Sequence, residues 1–136
     1  MSKKILVVDD ASLIRHVAAK ALKEAGFEAV LASNGQEGLN VLEQHEIDFI
    51  FSDINMPIMS GMEMVRRVRK NDKYRFIPIV MLTTETKMEL QNEAKELGGK
   101  VNESITAFSS DEVIANTVIK AVGKQKKINE YRILFN

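Results

Sequence analysis

The sequence predicts an α/β fold, a doubly wound parallel sheet made of alternating strands and helices. Three observations carry this. Short apolar runs of strand length alternate with segments whose apolar residues fall at helical spacing. The first run, KILVVDD, is continuously apolar up to its aspartates, as a parallel strand covered on both faces requires. Finally, Asn34, Ser60, Thr86 and Ser109 are each followed three residues later by a glutamate. That is the spacing at which a cap side chain accepts an orphan N–H and the glutamate reaches back, with Asn34 a looser variant.

The elements follow in order. After the first strand, Leu13, Ile14, Val17, Ala18, Ala21, Leu22 and Ala25 form a helical stripe, and Gly26 sits where a C-terminal cap belongs. FEAVLAS is a second strand, half polar, and IDFIFSD a third. FIPIVMLTT is the fourth, with Pro78 near its start, where a missing N–H is tolerable. The fifth, around residues 101–107, is interrupted by Asn102, Glu103 and Ser104. Such alternation implies right-handed crossovers, helices on both faces, and a ligand site at the carboxyl edge of the strands.

Composition narrows the function. The chain of 136 residues is long enough for one core and carries 19 Lys plus Arg against 19 Asp plus Glu. Zero net charge argues against a general nucleic-acid binder. With no cysteine, disulfides, thiol catalysis and cysteine-based zinc sites are excluded. The apolar run at residues 5–8 is too short for a signal peptide or membrane span, so a soluble, cytoplasmic protein is expected, with no membrane partner.

The chemistry gathers at strand tips. Asp9 and Asp10 end the first strand, Asp53 the third and Thr83 the fourth. If the first and third strands are neighbours, three carboxylates and a hydroxyl meet at one rim. Such carboxylates repel one another unless one is protonated or a cation neutralises them. Oxygen donors without histidine or cysteine point to Mg²⁺. An aspartate beside a metal can attack a phosphoryl group, and Thr83 can donate a hydrogen bond to one of its oxygens. Turn capping is the plainer account of any single such aspartate.

The stretches ILVVDD, DINMPIMSG and IVMLTTE, within about residues 3–125, resemble the receiver domain of two-component response regulators, in particular the stand-alone CheY-like type. The resemblance implies a flavodoxin-like (βα)5 sheet of strand order 2-1-3-4-5. It implies Asp53 as phosphoacceptor, and Asp10 and Asp53 as direct Mg²⁺ ligands with the Asn55 backbone carbonyl. Asp9 would contribute through water, and Thr83 would be the switch hydroxyl. Met56 and Pro57 would stiffen the loop, and Gly61 would allow a tight approach to the third helix. The expected partners are a sensor histidine kinase or phosphotransfer protein and a downstream protein target. The implied role is a signalling switch rather than an enzyme.

One departure stands out. Receivers usually carry a lysine followed by proline at the end of the fifth strand. Counting from Gly98 places that lysine at Ile105, and counting back from Phe108 places it at Thr106. Lys100 lies about six residues upstream, roughly 20 Å along an extended strand. The aromatic switch position falls on Asn102 or Glu103. The sequence therefore supports a phosphorylation switch with weakened conformational coupling or, alternatively, a degenerate receiver acting as a phosphorylation-independent adaptor. A haloacid-dehalogenase-type phosphohydrolase is disfavoured because Asp9-Asp10-Ala11 lacks the Asp-x-Asp motif. An FMN binder is disfavoured because the loop after the first strand has no phosphate cradle.

His16 and His45 read as surface residues. The basic runs at 66–70 and 124–127 read as solvated helix faces, and Met56, Met59, Met62 and Met64 as packing. Residues 1–127 are expected to form the domain. The apolar tail at 128–136 is expected to dock on it or on a neighbouring chain, giving a monomer or a weak homodimer.

Overall fold

The computed structural model describes residues 3–82, 96, 100–102 and 115–120. In chain order the elements are β1 (Lys4–Val8), α1 (Ser12–Glu24), β2 (Glu28–Ala32), α2 (Gly35–Gln44), β3 (Phe49–Asp53), α3 (Gly61–Lys70), β4 (Ile79–Leu82) and β5 (Lys100–Asn102). Residues 115–120 are also helical. The strands form one parallel sheet in the order β2-β1-β3-β4-β5, the order the resemblance implied.

Alternation along each strand sorts the core into two layers. Leu6, Val8, Ile50, Ile79 and Met81 point to one face and pack with Leu42 of α2 and Met62, Met64, Val65 and Val68 of α3. Ile5, Val7, Phe49, Phe51 and Val80 point to the other, under Ile14, Ala18 and Leu22 of α1 and Val118. The methionine cluster is packing, as expected: Met59, Met62 and Met64 are buried and Met56 lies partly buried against them.

Two expected caps form. Asn34 accepts from the Glu37 N–H at 2.9 Å, and Ser60 from the Glu63 N–H at 3.2 Å. The glutamates bond elsewhere than expected. Glu63 is taken by Arg66 and Arg67 on its own helix face, and Glu37 accepts from the Ser33 hydroxyl. Guanidinium donors three and four residues ahead outcompete the backward reach. The caps expected at Thr86 and Ser109 lie outside the described residues.

Two further expectations are corrected and one is met. Leu13 and Ala25 belong to the α1 stripe but are exposed, because they sit at the helix ends, beyond the span covered by the sheet. Gly26 does terminate α1, with φ of 89° just after the capping residue Ala25. The basic run in α3 is more than a solvated face. Arg69 donates to the carbonyls of Arg75 (3.1 Å) and Ile77 (2.7 Å) and so ties the turn before β4 to the helix.

Candidate functional site

β1 and β3 are adjacent and in register, Val8 beside Ser52. Their carboxyl ends therefore present Asp9, Asp10 and Asp53 side by side. One donor oxygen from each lies within 4.8 Å of the others. Asp9 is buried, Asp53 half-buried and Asp10 exposed, so the cluster is open to solvent on one side.

Local bonds hold these carboxylates in place. Asp9 Oδ1 accepts from the Ala11 N–H at 2.8 Å, bracing the turn into α1, and the Asp9 carbonyl accepts from Arg15 at 2.7 Å. Asp53 Oδ1 accepts from the Ile54 N–H at 2.7 Å. The loop that follows is built to lie close. A Cβ on Gly61 would overlap the Asp53 carbonyl oxygen, so lack of space rather than an unusual φ explains this glycine. The Gly61 N–H donates to the Ile54 carbonyl at 2.9 Å, and the Gly35 N–H to the Met59 carbonyl at 3.0 Å.

Electrostatics follow from this crowding. Desolvation pushes Asp53 up to about 7, helped by the charges of Asp9 and Asp10 and opposed by the Ile54 and Asn55 N–H groups. Desolvation likewise pushes Asp9 up to about 6, opposed by the Ala11 N–H and Arg15 and helped by Asp10. Two carboxyls held this far above the ordinary range repel strongly when both ionise. A hard divalent cation relieves that repulsion, and an all-oxygen donor set suits it. The residues thus fit the metal that the sequence suggested.

The structure brings together Asp9, Asp10 and Asp53, with the exposed Asn55 two residues beyond Asp53. Thr83, Ile105 and Thr106 lie outside the described residues, as does the tail at 128–136. Lys100 begins β5 opposite Val80, and Val80 is opposite Phe51. Its backbone therefore sits two residues below the level of Asp53, on the side away from the rim. His16 is exposed and uses Nδ1 on the Ser12 carbonyl and hydroxyl, and His45 is exposed. Sequence reasoning missed Arg15 and Ser52. A signal for Ser52 existed, since a hydroxyl in an otherwise apolar central strand needs a partner.

Comparison with known proteins agrees with this geometry. Residues 5–102 match the family described as the response regulator receiver domain. The chain is 36% identical over 96 residues to chemotaxis protein CheY of Pseudomonas aeruginosa, covering 70% of this chain and 77% of that one. It is 34% identical over 96 residues to chemotaxis protein CheY-3 of Vibrio cholerae, covering 70% and 74%. The crystal structure of Vibrio cholerae chemotaxis protein CheY4 at low pH superposes with a TM-score of 0.79 at 36% identity, covering 91% of this chain and 98% of that one. A CheY-like receiver domain from Methanospirillum hungatei, at 22% identity and a TM-score of 0.75, shares the fold. Sequence, strand order and the acidic rim agree, and the chain belongs to the response regulator receiver family, as a CheY-like domain of two-component signalling.

Proposed function

We propose that this receiver accepts a phosphoryl group on Asp53 and signals through protein contact in the cytoplasm. A single observation carries the reading: three carboxylates from two neighbouring strand tips, their donor oxygens within 4.8 Å, with Asp53 half-buried among them. Asp10, Asp53 and the Asn55 carbonyl would hold Mg²⁺, backed by Asp9. When bound, the ion supplies charge neutralisation for the carboxylates and the phosphoryl oxygens.

The chain's own residues do the rest. Asp53 is oriented by the Ile54 N–H on Oδ1 and by the Asn55 N–H, and one of its carboxylate oxygens attacks phosphorus. A P–O bond forms and the P–N bond of a donor phosphohistidine breaks. Its electron pair stays on the imidazole nitrogen, which takes a proton from solvent. Thr83 is the proposed hydroxyl donor to the phosphoryl group. The partners are a histidine kinase or phosphotransfer protein and a downstream protein target. Among the described residues no helix is long and apolar enough to cross a membrane.

One observation favours a second reading, a phosphorylation-independent adaptor: no lysine occurs between Lys100 and Lys120. Incubation with acetyl phosphate and Mg²⁺, followed by intact mass, separates the two. The expected result is one added phosphoryl group that vanishes in Asp53→Asn. Failure of the wild-type chain to label beside a competent receiver would favour the adaptor instead.

A further inference from the structure

Ser52 is fully buried in the central strand, and the proposed phosphoryl transfer leaves its hydroxyl without a task. It lies on the α3 side of the sheet, the face of Ile50, and donates to the carbonyl of Asp53 at 2.8 Å. That carbonyl belongs to the Asp53–Ile54 peptide. The N–H at the other end of the same peptide donates to Asp53 Oδ1 at 2.7 Å. A peptide is planar, so holding its C=O also sets the direction of its N–H. The Gly61 backbone also lies close to the same carbonyl, with no room for a Cβ.

The geometry points to Ser52 as a positioning residue for Asp53: its hydroxyl locks the Asp53–Ile54 peptide plane, and the plane aims the carboxylate at the rim. Without the hydroxyl the plane can rock against Gly61, carrying the Ile54 N–H and the nucleophile with it. Ser52 touches no substrate and acts only through this peptide. The inference rests on Asp53 being the phosphoacceptor.

The test compares the full chain with Ser52→Ala, Ser52→Thr and Ser52→Val. Threonine and valine match in shape and differ only in the hydroxyl. Asp53 labelling by phosphoramidate with Mg²⁺ is followed by intact mass. The maximal rate is expected to fall on the order of tenfold in Ser52→Ala and Ser52→Val and to stay within about threefold in Ser52→Thr, with the half-saturating phosphoramidate concentration unchanged. Without donor or metal, the Ile54 amide resonance should shift and lose hydrogen-exchange protection in Ser52→Ala but not in Ser52→Thr. Equal rates across the series, or an unmoved Ile54 amide in Ser52→Ala, overturn the inference. If the β-branched variants do not fold, wild type and Ser52→Ala decide it on the same two readouts. Wild-type labelling that is absent, or that survives Asp53→Asn, removes the phosphoacceptor reading instead, and the Ile54 amide still reports the Ser52 contact.

Discussion

At Asp53 and Asp9 the balance is between desolvation, which favours the proton, and backbone N–H donors, which favour the charge; desolvation wins at both. The sign of the pH dependence follows. Both carboxyls sit above the unfolded value of 3.8, so the stability they contribute is full below about 4 and is lost as pH rises through about 6 and 7. Asp10 and Arg15 face the same cluster and act in opposite directions on Asp9. Mg²⁺ bound there would have to displace these protons. Its apparent affinity should level off above about 7 and fall as pH drops through about 7 and then about 6, approaching roughly tenfold per pH unit for each proton displaced. Mg²⁺ titrations by NMR at pH 6, 7 and 8 would show this, together with a Mg²⁺-induced rise in Tm that is larger at pH 8 than at pH 6. A flat profile would remove Asp53 from the ligand set. Asp10→Asn should weaken Mg²⁺ more than any other single change in the cluster, and an unchanged affinity in that variant would refute the assignment.

Two connections set the shape of the elements around the site. In the loop after β3, the Met59 N–H donates to the Pro57 carbonyl at 2.7 Å, closing a three-residue turn whose central Ile58 has φ of 70°. A β-branched residue in this region is strained by about 1–3 kcal/mol. Its side chain is 84% exposed, so no burial offsets the strain. Ile58→Gly relieves the clash but gains unfolded-state entropy, and a net stabilisation of about 1 kcal/mol in urea melts is expected. A destabilised variant would mean that the turn is not strained. At the opposite end of the sheet, buried Tyr74 donates to the His45 carbonyl at 2.8 Å and accepts from the Ile47 N–H at 3.4 Å. It joins the connections before β3 and β4. Tyr74→Phe should cost about 1–2 kcal/mol by leaving the buried Ile47 N–H and a carbonyl short of a partner. Equal urea midpoints for this variant and wild type would show that water replaces the hydroxyl.

Across the whole molecule, the acidic rim is complete on the β1 and β3 side, while the fifth strand departs from the family pattern. β5 opens with Lys100 opposite Val80, below the rim, so that lysine starts on the wrong level to replace a cation at the strand's carboxyl end. Ile105 and Thr106 lie outside the described residues; if the fifth strand runs through 101–107 as the sequence predicts, its alternation lets only one of them aim a lysine at the site. Ile105 is apolar and suits the core. Thr106→Lys should therefore enlarge the chemical-shift response to beryllofluoride and Mg²⁺, with a gain on the order of 1–3 kcal/mol for one charge-assisted hydrogen bond. A response in Ile105→Lys alone would shift the register by one residue. No response in either would mean that the fifth strand is rebuilt or that the domain has given up the phosphorylation switch.

The strand–helix alternation, the caps at Asn34 and Ser60 and the strand-tip carboxylates were all legible in the chain, because each is written in local spacing and residue type. The sequence did not place the ends of the α1 stripe, the partners of Glu63 and Glu37, or the role of Arg69, which depend on what stands opposite in space. The resemblance implied β1 beside β3 and the aspartates around one ion, and the structure shows that strand pairing; the burial of Asp9 and Asp53 and their raised pKa values come from the tertiary packing alone. It alone joined the Ser52 hydroxyl, the Asp53–Ile54 peptide and Gly61 into one support. The reason is physical: desolvation and close approach arise from neighbours far apart in the chain, and no window of sequence contains them.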